Sequence, residues 1–400
     1  MFLPEIVLLV GGILLFLILL RRLRIATLPT GEAERRRVTR ATLTDGALVV
    51  AIGGAILLWA LYLPAARAPL LEADSKDLPL TSVVPVPEVP LLESRNLLWC
   101  ASFPLAWDAL RRDVLGGGPV LLDPPACREA MAALNASPFP AADLDPACVV
   151  AMAGTAKSGI EQKVRTALRG RAEVALPVLG PDDALALGFL EKDLPFATPF
   201  ETVAGGLPFG AEGRRVRAFG LNKHSENSAK ETLLAQIRIH LAEADAEDKV
   251  FSMLMPDRFI VELLPRGGKD RILLAQVKPE ATLQATWEKV RRAAGGPGRE
   301  ASSSTVLAVP KLNFDIDHRF TEFAGAKGSF GVLREARQRT RFRLDETGAQ
   351  LRSVGSLHLT LGIDPTFEFR RPFLVALVQK GATRPYLLLW VGNDELLAPE

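Results

Sequence analysis

A chain of 400 residues, 48% of them apolar and with a formal net charge of +2, is long enough for one large domain with accessories. So near-neutral a balance gives no reason to expect a nucleic-acid partner. Three cysteines and four scattered histidines, without a Cys-x-x-Cys pair, fit neither a disulfide scaffold nor a zinc site, and no metal or cofactor is expected.

The chain begins with two apolar runs, residues 2–20 and 46–65. At 1.5 Å per residue each is long enough to cross a bilayer core of roughly 30 Å, so residues 1–65 are expected to form a transmembrane helical hairpin. The connecting segment 21–45 contains seven arginines against two glutamates, which predicts a cytoplasmic loop. A signal peptide fits less well, because the basic residues follow the first apolar run and no small-residue cleavage site is evident. The expectation is an integral protein of an inner or plasma membrane, held in the lipid bilayer by two helices, with its main domain periplasmic or extracellular. Residues 66–94 are rich in proline and lack helical periodicity, which predicts an extended tether. The domain proper is expected over 95–400.

Residues 96–118 read as a helix stopped by glycines. Two segments then share a pattern, Asp123–Leu134 (DPPACREAMAAL) and Asp145–Ala156 (DPACVVAMAGTA), each reading as a helix start with Asp as N-cap and Pro just inside. Cys127 and Cys148 would sit in first turns, where a helix dipole favours the thiolate. They are two small buried residues, a structural disulfide or a redox pair. Residues 180–201 give a short apolar strand, a turn and an aromatic loop. Residues 257–290 give two strands around an Arg-Gly-Gly turn and then a helix with Leu283 and Trp287 on one face. The Gly- and Ser-rich runs near 294–304 are linkers without a phosphate-loop lysine. Asp315, Asp317 and His318 fall on a strand of 304–320, where alternate residues face opposite sides, so a solvated strand edge is expected instead of a metal site.

Residues 338–344 form a further strand, followed by the Asp-Glu-Thr-Gly turn at 345–348. Beyond it the period is two: Ala349, Leu351, Ser353, Gly355, Leu357, Leu359 and Leu361 on one side, with Gln350, Arg352, Val354, Ser356, His358 and Thr360 on the other. That is the pattern of a half-buried strand, either permanently paired with 338–344 or belonging to a loop able to insert beside it. Leucines exposed on a flexible loop would invite aggregation, which favours the permanent strand. No nucleophile and base pair stands out, so an enzyme is not expected.

In chain order these segments resemble a serpin. Asn96 and Ser102 match the start of the family's N-terminal helix. Phe189, Lys192 and Phe200 occupy comparable places in its strand-and-turn segment, without the tryptophan. Glu262, Leu263, Leu264 and Pro265 resemble the end of its hairpin strand, and Val309, Pro310, Lys311 and Leu312 a further strand. The run from Phe367 to Leu397 resembles its two final strands, although Arg370 stands where the family has Asp or Asn. The resemblance implies an α+β domain with a large central β-sheet, a hinge at Glu346, Thr347, Gly348 and Ala349, and a reactive loop that includes Leu361 and Gly362 as a candidate scissile pair. It also implies a serine or cysteine protease as partner, bound or inhibited through that loop. Leu351 and Arg352 are large where inhibitory members have small residues, which leaves a non-inhibitory scaffold or interaction domain of the cell envelope as the alternative.

Overall fold

The computed structural model describes residues 70–123, 125–169, 176–180, 183–222, 227–241, 258–328, 331–348 and 366–400. The expected membrane helices at 2–20 and 46–65 lie outside them; among the described residues no helix is long and apolar enough to cross a membrane. In chain order the strands are β1 (Leu71–Asp74), β2 (Thr81–Val83), β3 (Asn96–Cys100), β4 (Leu122–Asp123), β5 (Val149–Thr155), β6 (Ala184–Leu190), β7 (Glu201–Phe209), β8 (Arg214–Leu221), β9 (Ile237–Leu241), β10 (Phe259–Leu263), β11 (Asp270–Gln276), β12 (Arg299–Glu300), β13 (Val306–Pro310), β14 (Leu312–Arg319), β15 (Ala326–Gly328), β16 (Gly331–Leu333), β17 (Arg337–Leu344), β18 (Thr366–Glu368), β19 (Phe373–Gln379) and β20 (Leu387–Val391). The α-helices are α1 (Ser102–Asp113), α2 (Arg128–Ala136), α3 (Ile160–Ala167), α4 (Asn227–Ala235) and α5 (Leu283–Ala293).

The expected large sheet is present. It has eight strands in the order β12-β9-β10-β11-β19-β20-β3-β2, antiparallel throughout except for the parallel pair β2–β3. Strands β3, β10 and β20 bury all five of their residues. Short continuous apolar runs of this kind are what a sheet covered on both faces requires. Helix α5 covers part of it as the sequence predicts: Thr282 caps the helix by accepting from Ala285 N, and Leu283, Trp287 and Val290 are buried. The strand beside the hinge, β17, is not in this sheet. It belongs to a three-stranded sheet, β1-β14-β17, while β5 and β6 form a separate pair. A four-stranded sheet, β18-β13-β8-β7, and a small one, β16-β15-β4, complete the architecture.

Three expectations are corrected. Residues 70–94 are not a free tether: β1 pairs in parallel with β14, β2 pairs with β3, and Leu78, Val83, Val86 and Leu91 are buried. Their apolar side chains gain more from the core than extended polyproline would from water. Asn96 opens a strand, not a helix, because its side chain ties chain ends together. Its Oδ1 accepts from Gly392 N and Asn393 N, and its Nδ2 donates to Thr81 Oγ1. The second Asp-Pro-Ala-Cys segment makes only a 3-10 turn, capped by Asp145, before turning into strand β5.

Cys148 carries a free thiol, so of the three readings the disulfide with Cys127 is not formed. The two lie on unlike elements, Cys127 buried at the entry to α2 and Cys148 half-buried before β5. Burial pushes the Cys127 thiol up, against the expected thiolate.

Candidate functional site

The site is the region where the segments flanking β6 are tied to those flanking β17, beneath the turn that opens the hinge. Below, Arg334, three residues before β17, pairs with Asp183, immediately before β6, at 3.4 Å. Above, the segment leaving β6 meets the segment leaving β17: Phe196 N donates to Thr347 O at 3.1 Å and Phe200 N to Glu346 O at 2.7 Å. The two strands therefore run in the same direction and are tied at both ends. Among the described residues no ladder joins them: β6 pairs with β5 and β17 with β14.

Helix α1 packs against β5, β6 and β17 and so underlies both halves. Gly188 brings β6 onto it with no room to spare; a Cβ there would lie 2.0 Å from Ser102 O and 2.7 Å from Ala106 N. On the opposite side Ile160, Val164 and Leu168 cover β5 and β6 through Val150, Met152, Leu187 and Phe189. On β17 the buried face carries Gln338 and Thr340, bonded to each other at 3.1 Å, and the Gln338 Oε1 has no hydrogen-bond partner among the described residues.

The hinge itself is clamped. Asp345 and Gly348 bridge across the turn, and Asp345 Oδ1 accepts from Thr347 N at 3.0 Å and Thr347 Oγ1 at 2.6 Å. Gly348 has φ +76°, and a Cβ there would meet Phe196 N at 2.5 Å and Leu194 O at 2.6 Å. Only glycine allows both the left-handed backbone and that approach. Glu346 reaches Lys311 Nζ at 2.5 Å, and Lys311 also donates to Thr202 Oγ1 at 3.2 Å. The Lys311 ammonium is buried, so this pair holds the start of β14, β7 and the hinge in one arrangement.

Of the expected site residues, Glu346, Thr347 and Gly348 come together here. Ala349, Leu351, Ser353, Gly355, Leu357, Leu359, Leu361 and Gly362 lie outside the described residues, as does any strand they form. Lys311 matched a strand motif in the sequence, but its role as counter-ion of the hinge was not read; a lone lysine within an apolar strand was the available signal. Asp315 and Asp317 do not lie on a solvated edge. Strand β14 is the middle strand of its sheet, Asp315 is held by Arg339 and Asp317 by Arg337, and His318 Nδ1 bonds Ser75 Oγ at 2.6 Å. Burial lowers the His318 pKa, and the hydrogen bond from Arg337 lowers that of Asp317.

No protein-family model and no curated protein matches the chain. Solved structures of serpins do, at low similarity. Human thyroxine-binding globulin in a thyroxine complex is 13% identical with a TM-score of 0.44, over 77% of this chain and 93% of that one. Serpin48 of the insect Tenebrio molitor is 11% identical with a TM-score of 0.44, over 74% and 92%. Tengpin, a thermophilic serpin in its native state, is 13% identical with a TM-score of 0.43, over 80% and 99%. Likeness this loose carries no conclusion about this chain.

Proposed function

We propose that the chain is a membrane-tethered, serpin-like protein that binds or inhibits an envelope or extracellular protease by offering residues 349–362 as bait. The observation that carries this reading is the pair of parallel strands, β6 and β17, tied at both ends and unladdered between. A segment leaving the top of β17 and folding back would run antiparallel to both, and it would find an unpaired edge on each side. A protease that cuts the bait would acylate its own nucleophile while the freed segment moved between the strands. The added ladder supplies the free energy of the movement.

Thermal unfolding of the full chain before and after limited proteolysis tests this. Cleavage within 349–362 is expected to raise Tm with both fragments still associated. A cut that leaves Tm unchanged or lower overturns it.

One observation favours a second reading, a non-inhibitory scaffold with the same anchor. A strand continuing the Asp345–Gly348 register would set Leu351 against Phe342 and Arg352 against Arg341. Like charges directly opposite destabilise a strand pair. On this reading residues 349–362 are cut as an ordinary substrate, and no protease remains attached.

A further inference from the structure

Strand β5 is open on one side. Its even-numbered residues turn their backbone groups to β6, since Glu191 N donates to Cys148 O and Ala156 N to Asp183 O in the register of the pair. The backbone groups of Val149, Ala151, Ala153 and Thr155 therefore point away from β6, where no strand pairs with them among the described residues. The sequence of the strand, VVAMAGT, holds no charge and no proline, and Ala151, Ala153 and Gly154 leave another strand free to approach. Uncharged edges of this kind pair with other chains.

Side chains occupy this edge instead. Arg112 and Asp113 end helix α1, and two bonds join them, from Nε to Oδ1 at 2.7 Å and from Nη2 to Oδ2 at 2.9 Å. The same Nη2 donates to Ala151 O at 3.2 Å, and the same Oδ2 accepts from Ala153 N at 3.0 Å. A donor and an acceptor that bridge the residues on either side of Met152 are what one residue of a parallel neighbouring strand would supply. The helix itself does not call for this aspartate, because an anion at a helix C-terminus opposes the dipole. Local turns close the ends of the edge, with Val149 N donating to Pro146 O and Ser158 Oγ to Thr155 O at 2.8 Å.

We propose that the outer edge of β5 is a pairing surface for a second copy of this chain, kept closed by Arg112 and Asp113 acting in place of a strand. Two copies meeting antiparallel about Met152 set Ala151 of one against Ala153 of the other, a pair that exchanges both of its backbone hydrogen bonds. That exchange needs Ala151 O and Ala153 N, the two groups that the side chains hold. The register is self-complementary, since Val149 then meets Thr155 in the same way, as a twofold interface requires. Arg112 is 59% exposed and Asp113 28%, so the closure is a surface contact whose removal leaves the core intact.

The test is the mass of the full chain in mild detergent, read by sedimentation, for the parent and for the Arg112→Ala/Asp113→Ala variant. The variant is expected to reach twice the mass of the parent as concentration rises, with the amides of 149–155 exchanging more slowly in the dimer. Adding Ala151→Pro should return the variant to the mass of the parent. That proline removes only an N–H facing away from β6, which an edge strand tolerates, and in the parent it should change neither mass nor circular dichroism. A variant that keeps the mass of the parent overturns the proposal, and so does a larger mass, dimer or aggregate, that survives Ala151→Pro. A parent whose own mass falls with Ala151→Pro is already paired through β5, which overturns the closure. Neither the protease reading nor the anchor bears on the result.

Discussion

The eight-stranded sheet and the two strand pairs beneath the hinge differ in how completely they are closed. In the large sheet β10, β11, β19, β20, β3 and β9 are each bonded on both sides, and whole strands are buried. Its buried charges are satisfied internally: Glu262 accepts from Arg271 Nε at 2.6 Å and lies 3.1 Å from His240 Nε2, Arg271 also donates to Ala294 O, and Asp270 accepts from Lys192 Nζ at 2.9 Å. Strands β5 and β6 have few fully buried residues, and β6 and β17 each keep an edge unpaired among the described residues. Local stability follows buried contact and paired backbone, so the first region is expected to be the more stable and the second the less.

The largest effects should come from the closed sheet. Trp390, fully buried in β20 with its Nε1 donating to Glu93 O, is expected to cost about 3–5 kcal/mol as Trp390→Ala, measured by urea unfolding. The same truncation at half-buried Phe189 in β6 should cost clearly less; equal losses would erase the contrast. Next is Lys311→Ala, which leaves the Glu346 carboxylate without its buried partner. A loss of about 3 kcal/mol is expected, with faster proteolysis after Leu344 as the sign that the hinge has loosened. Gly188→Ala should force β6 off α1 at a cost of about 1–3 kcal/mol, read by Tm.

The pH dependence tests the closed sheet again. Burial alone would raise the Glu262 pKa, but hydrogen bonds from His240 and Arg271 more than offset it and hold the value at about 2, against an ordinary 4.5. A carboxylate depressed in the folded state contributes stability above the unfolded pKa and loses it as pH falls from about 4.5 towards 2. Glu262→Gln should therefore flatten the acid limb of stability in that window. Smallest of all, Arg291→Ala, which removes a surface pair with Glu288, should change stability by less than about 0.5 kcal/mol.

Much of the closed sheet was legible. The strands of 257–290 and the helix with Leu283 and Trp287 follow from alternation, turn glycines and 3.6-residue spacing, and they form as read, whereas the single strand read over 304–320 is two, β13 and β14, in two other sheets. What escaped was decided by neighbours. The two Asp-Pro-Ala-Cys starts are nearly identical, yet one leads to helix α2 through Arg-Glu-Ala-Met-Ala and the other to strand β5 through Val-Val-Ala-Met-Ala. Two β-branched residues and a waiting partner in β6 outweigh the shared cap. Asn96–Cys100 is a five-residue apolar run that periodicity alone cannot assign, and only β20 beside it makes it a strand. At the site, Glu346 and Gly348 were visible as a turn. Lys311, Thr202 and Arg334 were not, because each owes its role to a partner distant in sequence.

Asn96 and Asn393 are bonded across 297 residues of chain, and β3 finds its second neighbour, β20, only near the end of the sequence. A chain emerging from the ribosome must therefore carry the apolar strand β3 with one edge open until β20 has been made. Long loops of this kind slow folding and leave strand edges open to other chains. Biogenesis of this protein should thus depend on holdase chaperones throughout synthesis, and truncation before β20 should yield aggregates instead of a smaller folded domain.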